Sequence, residues 1–585
     1  MTGEVVFYAV HFVLFYFVLV PRIGGKVRAL CEGNYRCRAY LRQTWLGYTV
    51  DLADNQWRDL RGSLVLLWSA MIFVTAAHWL LRHTWGLATA SSSSSSLSAT
   101  HGAATASAIF RLVVGLAFLA VQHGAQALVV LLICYVGYRL AVWQREAGIT
   151  RSSAVTWIYA LAVILFKESY RVQHLPGLRF LRPVFDRNHG GMYGWQLPAN
   201  FLVLRIISFS LDLQWAGRAH DERKEEEDGE EEEEEGGGGT PRSRSSSKIR
   251  RGGGREGGLS LVPSPSHSPR PTTATASDLL SSPPPSIPPA TSAEETPRPL
   301  DQYNLVNYLS YMLYAPLYTA GPIISFNAFV ENTHHPQRAE DPVRYGLRWL
   351  VCLCLMELLT ASFPFFAVIK SGLFPFLSCA ELAVVAYTTL KMMWLKFLIV
   401  WRFFRLWAMA DGTLAPENMR RCMSNNHSLE QFWKGWHSSF NRWIVRYMYK
   451  PLGGRESRIW SVWPIFLFVA VWHDIEMKLL VWGLLNAFFF VLEVLAKRVA
   501  ASETFSRLPS AALRLIFILS GATYILVLVG VNLVGYAGLG VGGTAGMLQK
   551  LVSWDGLVVV FSTYYFLSIA VAFMSFLRRS GLSQE

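Results

Sequence analysis

The sequence predicts an all-α polytopic membrane protein. Hydrophobic residues make up 52% of the 585 residues and charged residues only 16%, whereas a typical soluble domain carries roughly 25% charged residues. Several apolar runs also reach the ~20 residues that a helix needs to cross a bilayer. On that criterion we expect a helical bundle of about eleven spans and re-entrant segments.

The charge and the cysteines argue against two other classes of protein: nucleic-acid-binding proteins, and proteins built on a zinc cluster or a disulfide framework. The net charge of +13 does not require a nucleic-acid partner, because much of it lies in loops, where Lys and Arg set membrane orientation. The seven cysteines contain no Cys-x-x-Cys pair, which argues against a zinc cluster or a disulfide framework. Cys31 and Cys37 could pair, but the sequence favours buried or free thiols. We therefore expect no nucleic-acid partner and no metal site.

The first part of the chain, residues 1–216, is predicted to consist of membrane spans. Its first apolar run, 5–20, is followed by basic residues rather than preceded by them, which is the reverse of a secretory signal peptide. We expect an uncleaved anchor with a lumenal N-terminus and a cytosolic basic loop. The run at 112–143 is too long for one straight span and could be two tilted or broken helices. The other spans of this part are predicted at 63–81, 154–166 and 197–215.

Two ionisable residues, Arg205 and Asp212, interrupt the apolar run at 197–215. Charges at that depth are costly, so both side chains should face protein or water rather than lipid. Their spacing places them on one face of a helix. A structural salt bridge or a position at a helix end is expected rather than a catalytic role.

Residues 217–300 differ in composition from the rest of the chain. An acidic run at 225–235 is followed by glycine-rich, basic, serine-rich and proline-rich sequence with almost no apolar residue. Such a segment cannot bury enough apolar surface to fold. We expect a disordered cytosolic insert without a catalytic role.

The third part, residues 301–585, is predicted to hold the catalytic core. It opens with an apolar segment at 303–329 that contains Pro316, Gly321 and Pro322. Such breaks in a membrane helix are tolerated where the backbone lines protein or a cavity. Two arginines near the end of the chain predict a cytosolic C-terminus. Further spans are predicted at 346–370, 381–406, 478–495, 516–534 and 557–576.

The first candidate catalytic residue is His473, which ends an apolar run and directly precedes Asp474. This position places the imidazole at or within the membrane, where burial disfavours its charged form. A neutral histidine can accept a proton from a hydroxyl or an amine as a general base. Taken alone, a buried histidine of this kind is more often structural.

A second histidine, His437, lies in the aromatic and basic segment QFWKGWHSSFNRW. Its tryptophans are typical of a membrane interface, because the apolar indole ring has one polar edge. The cationic side chains could hold the phosphates of a cofactor or anionic lipid headgroups, or they could extend to the interface from a juxtamembrane helix. The candidate binding residues are Lys434, Trp436, Arg442, Arg446, Lys450 and Trp472.

These motifs resemble the membrane-bound O-acyltransferase (MBOAT) family. The resemblance rests on Trp-His in a basic aromatic segment, then YxYKPLGG, then an apolar run that ends in Trp-His. The segments QWRDLR, LRIISFSLD and YNLVNYLSYMLYAPLYTAGPIISFNAF are similar to the branch that contains the yeast glycerol-uptake protein and Hedgehog acyltransferase, and nearer to the glycerol-uptake side. The resemblance covers most of the chain except the insert.

The resemblance implies a fold and residue roles. The family fold is a helical bundle with an intramembrane tunnel, which acyl-CoA enters from the cytosol and the acceptor from the other side. His473 matches the family's general base, and His437 matches a position that orients or polarises the acceptor or the thioester. The basic segment would hold the CoA phosphates, while Trp436 and Trp472 would wall the site. Acyl-CoA is then a co-substrate, and no permanently bound cofactor or metal is required.

Four functions stay open from the sequence. The resemblance favours transfer of a fatty acyl chain from acyl-CoA to a lipid hydroxyl in the endoplasmic reticulum membrane, with a GPI-anchored protein or a lysolipid as acceptor and remodelling of the lyso-GPI anchor as the implied reaction. The main alternative is a protein acyltransferase of the Hedgehog acyltransferase type. A small-solute transporter would need paired inverted repeats, and none is convincing. A non-catalytic scaffold would not need both histidines.

Overall fold

The computed structural model describes residues 2–90, 96–149, 151–169, 190–235, 296–336, 341–535 and 540–580. Within these ranges the chain is almost entirely helical. The exception is one antiparallel hairpin, in which strand β1 (Leu41–Gln43) pairs with strand β2 (Thr49–Asp51). The predicted all-α fold class is confirmed.

The N-terminal part begins with a continuous helix, in which a π-helical turn, Leu14–Leu19, joins the first two α-helices. The α-helices of this part are α1 (Thr2–Val13), α2 (Val20–Gly33), α3 (Tyr35–Arg38), α4 (Asn55–Ala90), α5 (Ser96–His123), α6 (Ala127–Glu146), α7 (Ala154–Glu168) and α8 (Gln196–Glu235).

The part after the insert starts with short helices broken at Pro and Gly, as predicted for residues 303–329. Its α-helices are α9 (Leu305–Met312), α10 (Ala315–Tyr318), α11 (Phe326–His334), α12 (Pro342–Ser362), α13 (Phe365–Lys370), α14 (Cys379–Ala410), α15 (Leu429–Gly435), α16 (Ser438–Ile444), α17 (Arg458–His473), α18 (Met477–Ala500), α19 (Glu503–Ser506), α20 (Ser510–Gly535), α21 (Gly540–Leu551) and α22 (Trp554–Arg579).

Eight helical segments in the described ranges are long and apolar enough to cross a membrane, and α17 is apolar but shorter. One segment, Gly102–Glu146, consists of α5 and α6 on either side of a 3-10 turn at Gly124–Gln126. The predicted break in the 112–143 run is therefore confirmed. The eight segments are Val6–Gly33, Asn55–Thr84, Gly102–Glu146, Pro342–Ser362, Cys379–Ala410, Met477–Ala500, Ser510–Gly535 and Trp554–Arg579.

Helix α8 lies at the centre of the first part of the bundle. Every residue from 202 to 214 is buried, as expected for a helix that is surrounded on all sides by protein. Arg205 donates to the backbone carbonyls of Tyr311 at 2.9 Å and Met312 at 2.7 Å, in the broken segment. Asp212 pairs with Arg446 at 2.8 Å. The predicted salt bridge is confirmed for Asp212, with Arg446 as its partner, whereas Arg205 lies inside α8 and binds backbone carbonyls instead.

The predicted start of disorder at residue 217 is wrong. Helix α8 continues through the acidic run and ends at Glu235, so 217–235 belongs to an extended helix. This outcome is compatible with composition, because Glu is a good helix former even where it buries nothing. The rest of the predicted insert, up to residue 295, lies outside the described residues.

The expectation that Cys31 and Cys37 remain thiols is also wrong. Their sulfur atoms form a disulfide that closes the turn between α2 and α3, and both residues are fully buried. Disulfides persist in oxidising compartments rather than in the cytosol. The disulfide therefore argues against the predicted cytosolic position of this basic loop and, with it, against a lumenal N-terminus.

Candidate active site

A cavity of 1920 Å³ runs through the helical bundle. Lys478 and Lys497 both line it, near opposite ends of α18. At 1.5 Å per residue these two positions are about 28 Å apart along the helix, which is close to the ~30 Å hydrocarbon thickness of a bilayer. Between its ends the cavity is mostly apolar, with Leu67, Phe118 and Val469 among its lining residues. This cavity has the shape of the predicted intramembrane tunnel.

His473 is the last residue of α17, and its side chain lines the tunnel. The helix end is attached to α8 by two hydrogen bonds. The indole Nε1 of Trp472 donates to the carbonyl oxygen of Asn200 at 2.8 Å, and the Asn200 amide Nδ2 donates to the carbonyl oxygen of His473 at 3.3 Å. These two bonds anchor the Trp472 side chain and the His473 carbonyl. The end of α17 is therefore held without a contribution from the imidazole ring.

His437 lines the same tunnel and precedes α16. It has φ of 46°, and among the described residues it alone combines a positive φ with a side chain. Left-handed backbone in a non-glycine residue costs free energy and persists where the surrounding structure enforces it, often at functional sites. Its ring stacks on Trp401, with 4.5 Å between the ring centroids.

The Nε2 atom of His437 is buried and has no hydrogen-bond partner among the described residues. An unsatisfied buried polar atom is costly in a folded protein. A ligand in the tunnel would supply the missing partner, which makes His437 a candidate for contact with substrate.

The strained turn at His437 is held by a loop that sequence analysis missed. The Asn418 carbonyl oxygen accepts the Ser438 amide at 3.0 Å, and the Asn418 Oδ1 accepts the Ser439 hydroxyl at 2.5 Å. Asn418 is itself completely buried. A lone Asn in a connecting loop gives no signal in one sequence, because its partners lie twenty residues further along the chain.

The two predicted wall residues, Trp436 and Trp472, both line the tunnel. The ring centroid of Trp472 lies 4.7 Å from that of His473 and 6.4 Å from that of His437. Trp436 lies 5.8 Å from Trp401. The aromatic side chains therefore form one continuous wall that carries both histidines.

One end of the tunnel is cationic. Lys434, a predicted binding residue, lies there with an ion pair to Glu430 at 2.8 Å. Arg458 and Lys497 also pair with Glu430 at 2.9 Å and 2.8 Å. Further cations lining this end are Arg455 and Arg498. With two carboxylates, Glu430 and Glu493, for these five cations, this end keeps an excess of positive charge.

Three of the predicted binding residues are not brought to the tunnel. Arg446 is held by Asp212 and lies over the ring of Trp215, 4.9 Å from its centroid. Arg446 and Lys450 instead line a second, separate cavity, and Arg442 lines neither. Helix α15 ends at Gly435, and the extended Trp436 and left-handed His437 separate it from α16, which the π-helical turn Val445–Tyr449 continues. These three residues therefore do not lie on the helix that carries Lys434.

The other end of the tunnel has mixed charge. Lys396 pairs with Asp54 at 2.7 Å, and Lys370 donates to the Asn55 side-chain oxygen at 3.0 Å. Asp59 also lines this end. Sequence analysis did not select Asp54, Asn55 and Asp59 as site residues, because the lysines that complete this polar cluster come from α13 and α14, more than 300 residues later.

The chain is similar to known acyltransferases over nearly its whole length. Residues 290–531, which include both histidines, match the model of the membrane-bound O-acyltransferase family, MBOAT. Membrane-bound O-acyltransferase GUP1 of Saccharomyces cerevisiae is 29% identical over 98% of this chain and 90% of the yeast protein. The protein of the same name from Schizosaccharomyces pombe is 30% identical over 88% of this chain and 78% of its own length. Protein-cysteine N-palmitoyltransferase HHAT of Mus musculus is 29% identical over 42% of this chain and 52% of its own.

Proposed function

Because the chain belongs to the membrane-bound O-acyltransferase family, we propose that it transfers a fatty acyl chain from acyl-CoA to a hydroxyl group of a lipid. One observation carries this proposal: His437 and His473 share an apolar tunnel that is about as long as a bilayer is thick. An acyl chain can lie in such a tunnel with its thioester beside the two imidazoles. The proposal requires no permanently bound cofactor.

The two ends of the tunnel differ, and the difference supports a side of the membrane from which each substrate enters. The Cys31–Cys37 disulfide leads into the hairpin, and Asp51 of that hairpin lies three residues before Asp54, which lines the mixed-charge end. A disulfide favours the oxidising, lumenal side for this end. The cationic end then faces the cytosol, which agrees with the preference of Lys and Arg for that side. Acyl-CoA would enter there, with its phosphates near Lys434 and Arg455.

The reaction follows from the position of His473. Its neutral imidazole removes the proton from the acceptor hydroxyl, and the oxygen attacks the carbonyl carbon of the thioester. The carbon–sulfur bond breaks, the ester forms, and the CoA thiolate takes the proton back from the imidazolium. The unpartnered Nε2 of His437 would donate to the thioester oxygen as negative charge develops on it. No acyl-enzyme intermediate is needed.

The proposed acceptor is the lyso form of a GPI anchor in the endoplasmic reticulum. Such a lipid carries a phosphate, amines and sugar hydroxyls, and the mixed-charge end supplies Lys370, Asp59 and Asn55 as complementary partners. The similarity to the GUP1 proteins spans most of the chain. A protein acceptor is the alternative, because the mouse relative is named a protein-cysteine N-palmitoyltransferase. That similarity covers less than half of this chain.

The acceptor is tested in microsomes from a host that lacks its own relative of this protein. Isotope-labelled acyl-CoA is added, and GPI lipids, other lipids and proteins are analysed by mass spectrometry. We expect label in GPI lipids with the native chain and none with the His473→Ala variant. Label in a protein N-terminus would support the alternative, and label that does not depend on His473 would overturn the proposal.

A substitution at the cationic end should change acyl-CoA binding without changing the chemistry. Arg455 lines that end with an exposed side chain. We expect Arg455→Ala to raise the KM for acyl-CoA about fivefold, since one cation near a phosphate contributes about 1 kcal/mol, while kcat stays nearly constant. Steady-state kinetics with acyl-CoA as the varied substrate measures both.

Arg507→Ala is the matched control, because Arg507 is exposed and does not line the tunnel. An equal rise in KM for both variants would mean that the effect comes from the general charge of the surface. No rise for Arg455→Ala would place the CoA phosphates elsewhere.

A further inference from the structure

A second cavity, of 400 Å³, lies beside α8 and the π-helical turn Val445–Tyr449. None of its lining residues lines the tunnel. It is open at the surface where α7 begins and the α8 helix leaves the bundle. Its polar lining residues are Arg151, Ser153, Gln214, Arg218, Arg446 and Lys450.

The cavity wall presents hydrogen-bond donors without acceptors. Gln214 is only 2% exposed, and its amide Nε2 has no hydrogen-bond partner among the described residues. The buried Nε of Arg446 has none there either. Both groups donate only, and a buried donor without an acceptor costs free energy that a bound acceptor would recover.

The positive charge of the cavity favours an anionic ligand. Four cationic side chains line it, and no Asp or Glu is among its lining residues in the part of the chain that the structure describes. The Asp212 carboxylate beside the cavity is already engaged by Arg446 and by the Tyr447 hydroxyl at 3.0 Å. Asp212 therefore fixes Arg446 in place.

The orientation of Arg446 is fixed by more than its ion pair. Its guanidinium lies over Trp215, whose ring stacks on Tyr447 at 5.6 Å between centroids. A planar guanidinium held in this way is preorganised for phosphate, because its donors keep their geometry when the ligand arrives.

From these contacts we infer that the second cavity binds a phosphate group. The phosphate belongs either to an anionic lipid headgroup of the adjacent leaflet or to a soluble phosphate ester. Gln214 and Arg446 donate to its oxygens from the wall, and Arg151, Arg218 and Lys450 surround it at the open side. This site is distinct from the tunnel, and it does not depend on which acceptor the enzyme uses.

The site is tested by native mass spectrometry and calorimetry on the purified full-length protein in detergent. Phosphatidylserine is the anionic lipid probe, phosphatidylcholine is the zwitterionic one, and glycerol 3-phosphate is the soluble phosphate ester. The variant is Arg218→Ala, which removes a partly exposed cation and should leave folding intact. The matched control is Arg223→Ala, an exposed arginine farther along the same helix and outside the cavity.

We expect Arg218→Ala to weaken binding of one phosphate probe about fivefold, the effect of one cation near a phosphate, while Arg223→Ala leaves it unchanged. Weaker phosphatidylserine binding with unchanged glycerol 3-phosphate affinity identifies the lipid headgroup, and the reverse result identifies the soluble ester. The inference is overturned if Arg218→Ala changes neither probe, or if the two variants lose affinity equally.

Discussion

Replacing His473 with alanine should lower the kcat for acyl transfer by about 10² to 10⁴, the range that a general base contributes. In the proposed mechanism the imidazole takes the acceptor proton, and water cannot replace it efficiently inside an apolar tunnel. The protein should remain folded, because the end of α17 is held by the Trp472 indole and the Asn200 amide, both of which bond to backbone carbonyls. These bonds survive removal of the imidazole.

The measurement is single-turnover transfer from labelled acyl-CoA, with the melting temperature of the same preparation recorded alongside. His335→Ala is the matched control, since His335 is exposed and does not line the tunnel. A variant that keeps its melting temperature and loses only a few-fold in rate would show that another group accepts the proton. Loss of both rate and melting temperature would instead assign His473 a structural role.

The sequence could single out the two histidines that line the tunnel because their signals are local. Trp436 and His437 are neighbours, as are Trp472 and His473, and an apolar run that ends in Trp-His predicts burial of the imidazole directly. The structure then brings the two pairs to one aromatic wall. The strained turn at His437 could not be predicted from composition, because it depends on contacts with the loop that contains Asn418.

Sequence analysis could not predict the ion-pair partner of a residue where that partner lies far away in the chain. Arg446 sits in a basic segment and was predicted to bind phosphate in the tunnel, but its carboxylate partner Asp212 comes 234 residues earlier. Lys396 and Asp54 show the same difficulty across 342 residues. Periodicity reports which face of a helix is apolar, and it carries no information on which distant charge meets that face.

A separate buried group of charges joins several helices on one side of the bundle. No pattern in the sequence predicts it. Asp411 follows α14, and its carboxylate contacts His78 Nδ1 at 2.5 Å, an Arg111 guanidinium nitrogen at 2.9 Å and the Tyr314 hydroxyl at 2.6 Å. Arg111 also donates to Thr333 Oγ1 at 2.7 Å. His78, Arg111 and Asp411 are each less than 5% exposed.

Asp411→Asn should therefore lower the free energy of unfolding by about 3–5 kcal/mol, the cost of leaving a buried ion-pair partner uncompensated. The amide cannot neutralise Arg111, and it offers one acceptor where the carboxylate offers two. The expected result is a large fall in the melting temperature of the detergent-solubilised protein, with Asp301→Asn as the control because Asp301 is exposed. Acyl transfer by the remaining folded protein should keep its kcat, since Asp411 does not line the tunnel.

A second variant separates the ion pair from simple loss of packing. If charge is the cause, Asp411→Asn combined with Arg111→Gln should be more stable than the sum of the two single changes predicts, because the double variant leaves no unpaired cation. Additive losses would mean that each side chain contributes through its own contacts. A melting temperature for Asp411→Asn equal to that of Asp301→Asn would contradict any stabilising role for this group. We therefore expect rate and stability to depend on different histidines: His473 in the tunnel, and His78 in the group that holds the surrounding helices.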